Sequence, residues 1–154
     1  MIAVVQRVTA AEVTVVESPH HAAIGAGLCV LLAVENGDTT AEAEWMAGKL
    51  ARLRIFRDDA GRMNRSVQEI GGAVLLVSQF TLAGDCSRGN RPSFVGAAPP
   101  ALGESLYLEV ARLLREAHTL PVSTGCFGAE MRVHIENDGP VTIIVRRDPM
   151  EANT

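Results

Sequence analysis

The sequence predicts an α/β fold: a single compact domain in which a β-barrel-like mixed sheet is flanked by two helices. A chain of 154 residues suits one domain, and its 47% apolar content is enough to form a buried core. Valine-rich segments lie towards both ends, and the regular strand–helix alternation of a doubly wound sheet is absent. We expect a domain at 1–148 and a C-terminal tail at 149–154.

The first part of the chain is predicted to form three strands and a helix. Two valine-rich strands are expected at 2–8 and 12–17, separated by a turn, and a nearly all-apolar strand follows at 27–34. Thr39 and Glu42 have the spacing of a capping box, which predicts a helix start. After this start, apolar residues recur every three to four positions, as in a helix with one buried face. They are Ala43, Met46, Ala47 and Leu50.

The middle of the chain is predicted to contain two further strands and a long loop. A strand is expected at 53–56, before a polar turn, and a stronger one at 73–77, continuing through 78–82. Residues 83–100 are rich in Gly, Pro, Ser and Asn and read as a loop, and loops of this length usually serve a function.

A helix and two strands are predicted for the last third of the chain. The helix covers 100–118 and is ended by Pro121. The apolar stripe expected on it consists of Leu102, Leu106, Val110, Leu113 and Ala117. Strands are expected at 130–136 and 141–147, and the polar segment between them reads as a turn.

Charge and cysteine content exclude several classes of protein. A formal net charge of −4 by itself argues against a nucleic-acid partner, although one arginine-rich stretch is the best local patch for RNA. Its members are Arg52, Arg54, Arg57, Arg62 and Arg65, and a solvated charged face explains them as well. Three scattered cysteines and no metal-ligand spacing predict no disulfide, no metal and no cofactor. With no leader-like start or membrane-length apolar stretch, we expect a cytoplasmic protein.

The segment Ser78-Gln79-Phe80-Thr81-Leu82 is the first candidate site. In an extended strand Ser78, Phe80 and Leu82 share one face, while Gln79 and Thr81 share the other. Hydroxyl and amide groups at a strand end, before a long loop, are well placed at the mouth of a cleft. An ordinary polar strand end is the simpler interpretation, and no nucleophile elbow surrounds Ser78.

Two loop segments are further candidates. In Asn137-Asp138-Gly139-Pro140-Val141-Thr142, an X-Pro bond can be cis and a glycine lets the backbone approach a ligand, although a plain hairpin turn is the simpler and favoured interpretation of the segment alone. The loop Ser87–Phe94 carries two arginines that suit phosphate and the ring of Phe94, which can stack on a base. A solvated loop with Phe94 in the core is the alternative.

Four segments together resemble the D-aminoacyl-tRNA deacylase (D-tyrosyl-tRNA(Tyr) deacylase) family. They are Val5-Gln6-Arg7-Val8, Ser78–Leu82, Gly89–Phe94 and Asn137–Thr142. The resemblance covers almost the full chain in the same order. It implies a homodimeric hydrolase that cleaves the ester between a D-amino acid, or glycine mischarged on tRNA(Ala), and the 3′-terminal adenosine of tRNA.

The same resemblance implies roles for individual residues. Gly139 and Pro140, joined by a cis bond, would enter the active site of the partner subunit and reject L-amino acids. Arg7 would help to hold that segment, which begins at Asn137. Phe80 would line the adenosine pocket and mark the chirality-proofreading branch.

For the reaction, backbone N–H groups around Gln79–Phe80 are expected to stabilise the oxyanion, with Thr81 as a secondary candidate. The resemblance implies that the ribose 2′-hydroxyl assists an attacking water. Covalent attack by Ser78 or Thr81 is the alternative, but neither has a base nearby in sequence. Two neighbouring positions, Ala83 and Cys86, depart from the commoner family pattern at the pocket rim.

Two rival functions remain open at this level. One is a non-catalytic RNA- or nucleotide-binding module that uses the Phe94 loop. The other is a hydrolase or deaminase of small molecules with its site at a subunit interface. If the substrate is tRNA, few phosphate contacts and a shallow salt dependence are expected, because the total charge is negative.

Overall fold

The computed structural model describes residues 1–149, and these form eight strands, two α-helices and one 3₁₀ turn. The strands are β1 (Ile2–Val15), β2 (His21–Ile24), β3 (Gly27–Ala33), β4 (Phe56–Arg57), β5 (Met63–Arg65), β6 (Ala73–Ser78), β7 (Val122–Thr124) and β8 (Met131–Arg146). The helices are α1 (Thr40–Arg52) and α2 (Pro100–Glu116), and the 3₁₀ turn is Phe80–Ala83. Most of the predicted tail, residues 150–154, lies outside the described part.

The main sheet is mixed and curls towards closure around β1. Along one edge β1 pairs antiparallel with β8, and along the other edge it pairs with β3 and then β2. The β3–β6 and β6–β7 pairs are parallel. The Ser123 hydroxyl of β7 donates to the Ala23 carbonyl of β2 at 3.3 Å, which brings the two ends of the sheet together. The predicted barrel-like mixed sheet with two helices is confirmed.

The two helices pack against each other and cover the larger core cluster. Helix α1 begins as predicted: the Thr39 amide donates to the Glu42 carboxylate at 2.8 Å, and the Ala41 amide donates to the Thr39 hydroxyl. In α2 the buried Tyr107 donates its hydroxyl proton to the Leu76 carbonyl at 2.8 Å, which ties the helix to β6. A second cluster on the opposite side of the sheet includes Val13 and Leu75.

Both predicted breaks in the long strands are wrong. Residues 9–11 continue β1, because pairing with β8 satisfies their backbone, and the irregularity there is only a register shift between Val8 and Ala10. In β8, Asn137 lies opposite Val8 and Thr142 opposite Gln6. The four residues 138–141 therefore face a single residue of β1. They form a bulge, which we call the β8 bulge, instead of a hairpin turn.

Several other strand and helix boundaries differ from the prediction, because tertiary packing outweighs the local sequence pattern. The strand expected at 53–56 is the two-residue β4, which pairs with β5 in a small hairpin, and the short strands β2 and β7 carried no clear strand signal. Helix α2 ends at Glu116. Its buried face is rotated from the predicted stripe and consists of Gly103, Leu106, Tyr107, Val110, Ala111 and Leu114.

Candidate active site

A cleft of about 690 Å³ opens where β6 ends. Its walls come from β6 and the residues after it, from the loop before α2, from the first turn of α2, and from the segment leading into β8. The lining residues are Val34, Val77, Ser78, Gln79, Phe80, Phe94, Ala97, Ala98, Pro99, Pro100, Gly103, Phe127, Gly128, Ala129, Met131 and Val133. None of these described lining residues carries an ionisable side chain.

The predicted extended conformation of Ser78–Leu82 is wrong. Strand β6 stops at Ser78, and the chain turns at once into the 3₁₀ turn. The Gln79 amide donates to the Leu32 carbonyl at 2.8 Å, so this N–H is already used. The first hydrogen bond of the turn runs from the Leu82 amide to the Gln79 carbonyl, at 3.2 Å. The amides of Phe80 and Thr81, at the start of the turn, are therefore not used within it.

Two aromatic rings stand at the mouth of the cleft. Phe80 is 55% exposed and Phe94 is 37% exposed. Their ring centroids are 5.3 Å apart in an edge-to-face arrangement. Phe94 is thus not in the core, as the alternative interpretation of its loop required. The loop is held in shape by Asp85, whose carboxylate accepts from the Ser87 amide at 2.8 Å; this hydrogen bond lowers the pKa of Asp85.

The opposite wall of the cleft, Phe127-Gly128-Ala129, was missed by sequence reasoning. Phe127 packs over α2 at Gly103, where an added Cβ would lie 3.3 Å from the ring, and it contacts Tyr107 with centroids 6.1 Å apart. The one available signal was the pair of glycines, Gly125 and Gly128, around an aromatic residue. Gly128 has a φ of 73°, which turns the chain into β8.

The second group of predicted site residues lies at the β8 bulge and is organised by Arg7. This guanidinium is buried, with a residue exposure of 2%. Its Nη1 donates to the Ile55 carbonyl at 2.6 Å, and its Nε donates to the Asp138 carbonyl at 3.1 Å. Nε also lies 3.0 Å from the Asp138 carboxylate. Arg7 therefore clamps the bulge to the body of the domain.

The ends of the bulge are pinned by another side chain of β1. The Gln6 side-chain carbonyl accepts from Thr142 at 2.7 Å and from the amide of Asn137 at 3.2 Å. Between these ends Gly139 adopts a φ of 119°, and a Cβ added there would lie 2.6 Å from Nη2 of Arg7. The positive φ and the closeness of Arg7 both favour glycine at position 139. Gly139 and Pro140 are exposed.

The expected cis bond between Gly139 and Pro140 is not found, since every peptide bond in the described chain is trans. The two forms of an X-Pro bond differ by only about 0.5–1 kcal/mol, and trans is the ordinary choice. The bulge achieves its sharp turn through the positive φ of Gly139 instead.

Within one chain the predicted site residues fall into two separate groups. Ser78, Gln79, Phe80 and Phe94 line the cleft, and Thr81 stands beside it, where its hydroxyl accepts from the side-chain amide of Gln79 at 2.5 Å. Gly139 and Pro140 belong to the β8 bulge, Asn137 precedes it and Arg7 clamps it, and none of the four is part of the cleft lining. Across residues 1–149 no group of metal-ligating side chains is found, and no helix is long and apolar enough to span a membrane. All three cysteines are free.

Comparison with known proteins shows which family this chain resembles in sequence. The model of the D-Tyr-tRNA(Tyr) deacylase family matches residues 4–146. A D-aminoacyl-tRNA deacylase of Geobacter sulfurreducens is 53% identical over the whole of both chains. One of Paracoccus denitrificans is 58% identical over 93% of this chain and 95% of its own.

Solved structures agree with the sequence matches. A protein described as c-Myc DNA Unwinding Element Binding Protein superposes with a TM-score of 0.88 at 43% identity, covering 96% of this chain and 99% of its own. A probable eukaryotic D-amino acid tRNA deacylase shares the fold, with a TM-score of 0.82 at 18% identity over 94% of this chain and 97% of its own. The chain belongs to the D-Tyr-tRNA(Tyr) deacylase family, as the sequence predicted.

Proposed function

We propose that this protein hydrolyses the ester that joins a D-amino acid to the 3′-terminal adenosine of tRNA. The observation that carries the proposal is the cleft at the end of β6, where two exposed rings stand beside the amides of Phe80 and Thr81. An adenine base stacks on exposed aromatic rings. Amides left unused at the start of a turn are suitable donors for the oxyanion of ester hydrolysis. Family membership supports the same substrate class.

The composition of the cleft supports a reaction that depends little on protein side chains. Its described lining offers no histidine, carboxylate or lysine to act as a base. The backbone N–H of Gln79 donates to the Leu32 carbonyl, so it is not available to an oxyanion. The proposed oxyanion donors are therefore the backbone N–H groups of Phe80 and Thr81, one residue further along than the expected pair Gln79 and Phe80. We infer that water attacks the ester with help from the 2′-hydroxyl of the terminal ribose, and that Ser78 and Thr81 contact substrate without forming a covalent intermediate.

We further propose a homodimer in which the β8 bulge of one copy enters the cleft of the other. The bulge is exposed and clamped by Arg7 and Gln6, yet it does not reach the cleft of its own chain. Asn137, Gly139 and Pro140 would then face the substrate amino acid in the partner. Glycine leaves room for a D-residue or for glycine itself on tRNA(Ala), while rigid backbone excludes the L-side chain.

The test of substrate and chirality is an ester-loss assay with purified protein. D-Tyr-tRNA(Tyr), L-Tyr-tRNA(Tyr) and Gly-tRNA(Ala) are incubated separately, and the remaining ester is followed with time. We expect rapid loss of the D-tyrosyl and glycyl esters and retention of the L-tyrosyl ester. Equal loss of both tyrosyl esters would refute the chiral selection, and no loss of any would refute the hydrolase.

The composite site is tested by mixing two variants of low activity. Gly139→Ala damages the bulge and leaves the cleft, whereas Phe80→Ala damages the cleft and leaves the bulge. Random exchange of subunits should restore about a quarter of the wild-type activity, because half of the dimers then hold one intact site. Activity that stays at the level of the separate variants would contradict a site built by two chains.

Nucleic-acid binding without turnover is the second candidate. It is favoured by one observation, the likeness to a structure described as a DNA-unwinding-element binding protein. Binding of tRNA with no ester loss in the assay above would select it. A tRNA substrate, by contrast, supports the expectation of a cytoplasmic enzyme.

A further inference from the structure

The hairpin formed by β4 and β5 concentrates positive charge on an acidic protein. We call residues 52–65, from the last residue of α1 to the end of β5, the basic hairpin: they hold five arginines against two aspartates, a net of three positive charges, while the whole chain carries −4. Arg54 is tied to the Asn64 carbonyl at 2.9 Å, and Arg65 pairs with Asp59 at 2.7 Å. Arg57 and Arg62 are exposed, and neither guanidinium has a hydrogen-bond or ion-pair partner among the described residues.

The turn that presents these two arginines is ordered. The Asp58 carboxylate accepts from the amides of Ala60 and Arg62, both at 2.9 Å, and from the side chain of Asn64 at 3.1 Å. These hydrogen bonds lower the pKa of Asp58 and engage both oxygens of its carboxylate. Asp58 is thus directed inwards to the turn, and Arg57 and Arg62 point to solvent on a preorganised support.

The basic hairpin is anchored to the β8 bulge through one guanidinium. Arg7 donates to the Ile55 carbonyl, immediately before β4, and to the Asp138 carbonyl, immediately before Gly139. The start of the hairpin and the start of the bulge therefore lie on either side of the same buried side chain. Wherever the bulge is inserted, the hairpin stands next to it.

From this juxtaposition we propose that the basic hairpin binds phosphates of the acceptor arm of tRNA. The inference rests on the proposed function: a bulge that enters the partner's cleft brings its own hairpin beside the RNA whose 3′ end occupies that cleft. Arg57 and Arg62 supply guanidinium groups that match phosphate oxygens. The local charge also explains how a protein of negative total charge holds a polyanion.

The test compares the double variant R57Q/R62Q with the control R112Q/R132Q. Binding is measured by fluorescence anisotropy with tRNA that carries no amino acid. The control also removes two exposed arginine charges, from α2 and from the part of β8 that pairs with the far end of β1. We expect R57Q/R62Q to bind about tenfold more weakly at moderate salt and to lower the salt slope by about two, one for each phosphate that is no longer neutralised. The control should bind as the wild type does.

Ester hydrolysis provides an independent measurement. The fall in kcat/KM of R57Q/R62Q should be at least about fivefold larger on D-Tyr-tRNA(Tyr) than on 3′-D-tyrosyl adenosine, which lacks the acceptor arm. Unchanged tRNA affinity and salt slope in a variant that folds normally would overturn the proposal while leaving the hydrolase intact. A change in oligomeric mass with unchanged tRNA affinity would assign the hairpin to a protein contact and also overturn it. No tRNA binding by the wild type would overturn both proposals.

Discussion

The cleft and the β8 bulge are built in opposite ways. The cleft is lined by apolar and small residues, its two rings are exposed, and its described lining carries no charge. The bulge is a short, exposed piece of backbone held by a buried guanidinium and a side-chain amide. One region offers adaptable space, whereas the other offers backbone at a defined position.

This difference fits the two tasks in the proposed reaction. Binding an adenosine and an amino acid of variable size requires apolar surface and room, which the cleft supplies. Rejecting one enantiomer requires atoms held in fixed positions. The backbone of the β8 bulge, which Arg7 and Gln6 hold in place, supplies such atoms. Stability and function should therefore respond differently to substitutions in the two regions.

The largest effect on stability is expected for Arg7→Met. This change keeps most of the side-chain volume but leaves the Ile55 carbonyl and the Asp138 carboxylate without their partner. We expect the free energy of unfolding in urea to fall by about 2–4 kcal/mol. Arg132→Met, at an exposed position, is the control and should change it by less than about 0.5 kcal/mol. Equal effects would mean that Arg7 does not clamp the bulge.

A smaller loss is expected for Gly139→Ala. The positive φ and the close approach of Arg7 both oppose a Cβ, so the free energy of unfolding should fall by about 1–3 kcal/mol. Gly89→Ala is the control, because Gly89 also has a positive φ but has open space around it. It should lose about 1 kcal/mol or less. If the two variants match, backbone strain alone explains Gly139, and contact with Arg7 is irrelevant.

In the cleft, Phe80→Ala should separate activity from stability. Because Phe80 is more than half exposed, urea unfolding should change by less than about 1 kcal/mol. Loss of base stacking should lower kcat/KM for D-Tyr-tRNA(Tyr) by about tenfold or more. Leu108→Ala on α2 removes a side chain of similar exposure, 52%, and should leave both quantities nearly unchanged. A loss of stability as large as that for Arg7→Met would show that the cleft is not the adaptable region described.

The smallest effect concerns Cys29, which lies opposite Gln6 in the β1–β3 pair and belongs to the second core cluster. Burial raises the pKa of its thiol from about 9 to about 11. The unfolded thiol ionises first, so the stability gained from the neutral buried form is complete below pH 9 and declines as the pH rises to 11. Cys29→Ala should flatten this part of the stability profile. An unchanged profile would show that Cys29 does not contribute to it.

Thiol labelling offers a check on the same comparison. At about pH 8 iodoacetamide should modify the exposed Cys86 while the buried Cys29 remains unmodified. In Arg7→Met, labelling of Cys29 should become faster, because a less stable domain opens more often and exposes the buried thiol. Faster labelling in Arg132→Met as well would remove that explanation.

Much of the fold could be predicted from local pattern, and its errors have a common cause. The capping box at Thr39, the apolar strand β3 and the loop before α2 were all read correctly, since each signal lies within a few residues. The break expected at 9–11 and the hairpin expected at 137–140 were wrong because β1 and β8 pair with each other on both sides of these segments. Pairing between residues so far apart in the chain leaves no local trace.

By itself the sequence determined the type of domain and the family, since apolar spacing and short motifs are properties of neighbouring residues. It pointed to Ser78–Leu82, the Phe94 loop and Asn137–Thr142 as candidate segments, but not to the cleft wall at 127–129. Only the tertiary structure decided how those segments are used. It turned Ser78–Leu82 from an extended strand into a turn that frees two amides, and it made Gly139–Pro140 a clamped bulge outside the cleft of its own chain. It also placed a basic hairpin on the other side of Arg7. These outcomes depend on which distant groups meet, and a single buried guanidinium decides two of them.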